Sequence, residues 1–162
     1  MADSGSPTFA VMGSGGMGGY IGAKLAQAGY EVSFIARGDH LEAIEANGFK
    51  IEGPGEAFVI QPVRATSDPR AIGPVDFVIF CVKLWDTKAA GEQCRDLMAP
   101  DTAVLSMQNG VESEPVLSEI LGREQVMGAV GSGGVPSAMP AVRATSNVRI
   151  LGGVTPWLPW GD

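Results

Sequence analysis

The feature that most restricts this chain lies at its start. The apolar run Phe9-Ala10-Val11-Met12 breaks at Gly13, and Gly13-Ser14-Gly15-Gly16-Met17-Gly18 leads straight into a segment of helical periodicity. From Met17 onward, Tyr20, Ile21, Leu25 and Ala28 recur at helical spacing, and Gly29 is placed to cap the helix. Val32 to Ala36 then reads as a second strand. Two strands joined through one helix over so short a span form a βαβ unit, so they are parallel and the crossover is right-handed.

The same alternation continues along the chain. Asp39 can cap a short helix through Leu41, Ile44 and Ala46 that stops at Asn47-Gly48. Phe49 to Glu52 and Ala57 to Ala65 read as a hairpin or a pair of edge strands. Val75 to Val82 is apolar enough for the centre of a parallel sheet. Helices are expected at Asp86 to Met98 and Glu112 to Leu121, and strands at Thr102 to Met107 and Gln125 to Val130. The expected fold class is α/β, a Rossmann-type doubly wound parallel sheet over residues 8–130. Beyond it, residues 131–162 carry four prolines, six glycines, no lysine and no glutamate. That tail supports at most a short strand at Val148 to Leu151 and is not a separate domain.

The glycine motif has a physical reading in this setting. Gly13 makes the tight turn, Gly15 lets a pyrophosphate approach the backbone, and Gly18 brings helix and sheet together. Ser14, Gly16 and Met17 complete the loop, whose free N–H groups and helix dipole form an anion site. A glycine-rich turn that serves packing alone is the competing reading. At the tip of the second strand, where Asp or Glu binds the ribose of NAD, this chain has Arg37. A guanidinium there meets a 2′-phosphate with paired, charge-assisted hydrogen bonds and favours NADP. Asp39 as the ribose acid, with Arg37 solvated, is the alternative.

Three further residues sit at strand ends. Lys83 follows the central strand, either as a second cation for the adenosine-phosphate end or as a snorkelling lysine. Asn109 follows the next strand, where its amide can bond a nicotinamide, a ribose or a substrate carbonyl, or can simply form an Asn-Gly turn. Trp85 is expected to pack on the following helix rather than cover a cofactor, and His40 reads as an exposed residue at a helix start. No nucleophile and base pair is evident. With two cysteines and one histidine no metal site is expected, and Cys81 and Cys94 read as small buried hydrophobes. A net charge of −7 argues against nucleic-acid and anionic-membrane partners. The absence of a leader pattern or an apolar span makes the cytoplasm the expected location.

Taken together, Phe9 to Gly19, Arg37 followed by His40-Leu41-Glu42-Ala43-Ile44, Asn47-Gly48-Phe49, Val82-Lys83-Leu84-Trp85 and Ser106-Met107-Gln108-Asn109-Gly110 resemble the amino-terminal half of the ketopantoate reductases (2-dehydropantoate 2-reductases). The resemblance spans roughly residues 8–130. It implies an NADPH-binding domain in which Gly13 to Gly18 hold the pyrophosphate, Arg37 and Lys83 serve the phosphorylated adenosine end, and Asn109 meets nicotinamide and substrate. It implies reduction of ketopantoate to pantoate, on the route to pantothenate and coenzyme A. The family's general acid, a lysine, belongs to a second, helical domain, and no residue here takes that role, because the last lysine is Lys88 and the last glutamate Glu124. The expectation is therefore a cofactor-binding half, truncated or frame-shifted after residue 130, inactive alone and able to self-associate through its open domain interface. The alternatives are another two-domain NADP-dependent dehydrogenase of a small keto or hydroxy acid, or a non-catalytic NADP-binding module.

Overall fold

The computed structural model describes residues 5–53, 56–109, 112–131 and 148–150. Strand β1 (Thr8–Met12) leads through the glycine turn into α1 (Gly16–Gln27), and β2 (Glu31–Ile35) returns parallel to β1 with Met12 opposite Ile35. Helix α1 ends as its sequence suggests. Gly29, at φ +95°, donates to the Ala26 carbonyl while Tyr30 donates to that of Leu25, the paired bonds of a glycine-terminated helix.

After α2 (Gly38–Asn47), β3 (Phe49–Gly53) and β4 (Glu56–Ile60) form a separate antiparallel pair. The single strand expected over Ala57 to Ala65 is in fact two. Pro62, which has no N–H to donate, lies between β4 and β5 (Arg64–Thr66), and β5 joins the main sheet beside β2. The central strand β6 (Phe77–Phe80) is shorter than its apolar run, because Cys81 and Val82 already belong to the crevice loop. The helix expected over Asp86 to Met98 is also broken up, with α3 (Thr87–Cys94) between 3₁₀ turns at Leu84–Asp86 and Arg95–Leu97. Then β7 (Ala103–Ser106), α4 (Ser113–Leu121) and β8 (Val126–Gly131) complete the parallel sheet. The short β9 (Val148–Ile150) pairs antiparallel with β8. The rest of the 131–162 tail lies outside the described residues.

The strand order is β5-β2-β1-β6-β7-β8-β9, so the chain winds one way from β1 to β2 and the other way from β6 onward. Both faces of the sheet are covered, which explains the near-continuous apolar strands. On one face Ala10, Met12, Val78 and Phe80 pack with α3 and α4 through Ala90, Cys94 and Leu117. On the other, Val11, Ile79 and Leu105 meet Ala23 of α1, Ile44 of α2 and Phe49 of β3. The reversal of winding falls between β1 and β6, and ligands of such sheets bind at that point, beyond the carboxyl ends of the strands.

Candidate functional site

A cleft of about 180 Å³ opens at that place. It is lined by the turn from Met12 to Gly15, the end of β2 from Ile35 to Arg37, His40 and Val82. The turn is shaped by close backbone packing. Gly13 adopts φ +93°, and a Cβ there would lie 2.9 Å from the Cys81 carbonyl carbon and from the Val82 nitrogen. A Cβ on Gly18 would collide with the Gly13 carbonyl oxygen and stand 2.9 Å from the Cys81 Cβ. Gly22 admits nothing larger, since a Cβ would meet the Phe34 ring at 2.6 Å.

Gly15 is different. It is exposed, no atom lies within 4 Å of where its Cβ would be, and it caps the start of α1 without any side-chain hydrogen bond. The back of the loop is thus filled by protein while its front is open, with first-turn N–H groups that have no partner within the helix. That pattern of space fits a phosphate-bearing group approaching the backbone from outside.

Ser14 ties this loop to β2. Its buried hydroxyl donates to the Ile35 carbonyl at 2.8 Å, and its N–H reaches the same oxygen at 3.4 Å. Arg37 follows two residues later, an exposed N-cap of α2 in extended conformation, and shares the cleft with the glycine turn. Gly16 and Met17 open α1 outside the cleft lining. Lys83 is exposed directly after Val82, and Asn109 is exposed beyond β7, the neighbouring strand. Between them, the Gln108 amide donates to the Val82 carbonyl at 2.9 Å and to the Thr87 hydroxyl at 2.8 Å, fixing the Lys83 loop against the loop that carries Asn109.

Two residues depart from their expected roles. Trp85 does not pack on the following helix but is 80% exposed, with Leu84 beside it at 48%. The 3₁₀ turn at Leu84–Asp86 lifts both side chains clear of α3 before that helix begins. His40 is more than an exposed residue at a helix start, because its Nε2 lies 2.8 Å from the Ser14 carbonyl. No local sequence pattern marks that contact, because the two residues are 26 positions apart. Cys94 matches its reading as a buried residue, whereas Cys81 is only half-buried; desolvation pushes both thiols up to about 12. Among the described residues no group of His, Cys, Asp or Glu is arranged to hold a metal ion, and no helix is long and apolar enough to cross a membrane.

Residues 9–150 match the family described as ketopantoate reductase PanE/ApbA. The match runs past residue 130, the expected end of the resemblance, and takes in β9. The 2-dehydropantoate 2-reductase of Mesorhizobium japonicum is 42% identical over 102 residues, covering 62% of this chain and 31% of its own length. That of Pyrococcus horikoshii is 35% identical over 132 residues, covering 82% and 42%. In the crystal structure of 2-dehydropantoate 2-reductase from Geobacter metallireducens the likeness has a TM-score of 0.78 at 32% identity, over 88% of this chain and 48% of that one. The chain spans about a third to a half of the length of these relatives.

Proposed function

The chain belongs to the ketopantoate reductase family, and from that premise we propose that it binds NADPH in the cleft at the carboxyl ends of β1, β2 and β6 and serves the reduction of 2-dehydropantoate to pantoate in pantothenate and coenzyme A synthesis. The bound nicotinamide would supply a hydride to the 2-keto carbon. The roles of this chain's own residues follow from charge and position. The loop Gly13, Ser14, Gly15, Gly16, Met17 and Gly18 offers backbone N–H groups to the pyrophosphate. Arg37 takes the 2′-phosphate as a planar, permanently charged donor, and Lys83 adds a second cation to the same end. Asn109 orients the nicotinamide and the 2-keto acid through its amide. No residue here is assigned as the general acid.

The observation that carries this reading is the open face of Gly15 in the same cleft as Arg37. Titration of the chain with NADPH and NADH tests it, because the reading requires saturable binding with NADPH the tighter ligand. We read its partners as small molecules and its location as cytoplasmic, the net charge of −7 arguing against nucleic-acid and anionic-membrane partners. The exposed Leu84 and Trp85 at the site's rim favour self-association of the isolated chain.

A further inference from the structure

Ser14 has three backbone and side-chain groups to satisfy, and two of them, N–H and O–H, point to the Ile35 carbonyl. The third, its carbonyl, lies 2.8 Å from His40 Nε2. A carbonyl oxygen only accepts, so this ring nitrogen carries the proton and donates. The ring is itself oriented. It stands nearly perpendicular to Phe49, at 6.2 Å between centroids and 81° between planes, and Phe49 stacks on Phe34 at 4.5 Å. Phe49 also occupies the space beside α1, where a Cβ on Gly19 would come within 2.5 Å of its Cζ. The α2–β3 segment therefore rests on the start of α1 through two contacts, Phe49 against Gly19 and His40 on the Ser14 carbonyl.

We propose that His40 is a positioning residue for the glycine loop: by holding the Ser14 carbonyl it fixes the Ser14–Gly15 peptide and couples the loop to the helix that Arg37 caps. This rests on the reading of the cleft as a dinucleotide site. In a trans peptide the carbonyl and the following N–H point opposite ways, so clamping the Ser14 oxygen sets the direction of the Gly15 N–H. Gly15 has no Cβ to restrict its dihedrals, so the loop's own chemistry does not hold that peptide in one orientation. The imidazole supplies the missing restraint from the neighbouring element. Because the pyrophosphate is common to both dinucleotides, His40 affects NADP and NAD alike, whereas Arg37 affects NADP alone.

Calorimetric titration of the 162-residue chain with NADP⁺ and NAD⁺ tests this. His40→Phe keeps a ring against Phe49 but removes the donor, and is expected to weaken both ligands by about tenfold, the scale of one lost hydrogen bond. His40→Gln, whose amide can donate over a similar reach, is expected to recover most of the loss. In ¹⁵N spectra the wild-type ring should show the Nε2–H tautomer, and the Gly15 amide resonance should move in the Phe variant and return in the Gln variant. Unchanged affinity in His40→Phe, a loss confined to NADP⁺, or an Nδ1–H tautomer would overturn the role of His40. Should the Phe variant not fold, the Gln variant and the wild-type tautomer decide. Failure of the wild-type chain to bind either dinucleotide would instead overturn the cofactor reading itself, and the role of His40 with it.

Discussion

Gly15 and Gly18 stand in one short loop and answer to opposite demands. A methyl on Gly18 meets the backbone of Gly13, which cannot yield as a flexible side chain would, whereas a methyl on Gly15 projects into open space. Gly18→Ala is therefore expected to destabilise the fold by about 1–3 kcal/mol, the usual cost of overpacking. Gly15→Ala should leave the thermal midpoint nearly unchanged yet weaken dinucleotide binding by about tenfold or more, because the methyl stands where the ligand approaches. Thermal unfolding and NADPH titration of the two variants check this, and a Gly15→Ala chain that binds normally would remove Gly15 from the site. At this scale the glycine motif and Arg37 were legible because each closely follows a strand that apolar patterning marks, β1 and β2. His40 was not, since its partner Ser14 is distant along the chain and nothing local marks a ring nitrogen as a backbone clamp.

Helix and strand identities were readable from periodicity, but their bounds depended on contacts that periodicity does not encode. Apolar patterning is no guide at Pro62, where an apparently continuous strand divides between two sheets. The strand β6 likewise stops at Phe80, short of its apolar run, although the Cys81 N–H still donates to the Met12 carbonyl as a further rung of the ladder with β1. At its other end, β6 is joined to β1 by Asp76, whose carboxylate accepts from the Thr8 N–H at 2.7 Å and the Thr8 hydroxyl at 2.8 Å. Those two bonds hold the Asp76 carboxyl below the usual carboxylate range. A lowered folded-state pKa contributes stability that is complete above the unfolded value and is lost as pH falls through the folded one. The stability gap between wild type and Asp76→Asn should thus shrink as pH drops below about 4. Urea midpoints measured across that range check it, and a gap independent of pH would contradict it.

The whole molecule shows why one edge of the sheet matters. The winding reverses between β1 and β6, and the glycine turn, Arg37, Lys83 and Asn109 all follow the carboxyl ends of strands on that edge. This much follows from the order of elements along the chain. What sequence patterning did not reveal is the exposed face beside it, where Leu84 and Trp85 stand out at 48% and 80% instead of packing on α3. We expect sedimentation of the chain to show concentration-dependent association that Trp85→Ser reduces, and a monomer at all concentrations would count against that surface. The relatives are about two to three times longer than the part this chain spans, so the claim that belongs to this chain is the recognition of NADPH. Its most direct test is the ratio of NADH to NADPH dissociation constants in the wild type and in Arg37→Ala. A charge-assisted pair to the 2′-phosphate predicts a wild-type ratio of about tenfold or more that falls toward unity in the variant. Equal affinities in the wild type, or a preference that survives loss of the guanidinium, would contradict the account.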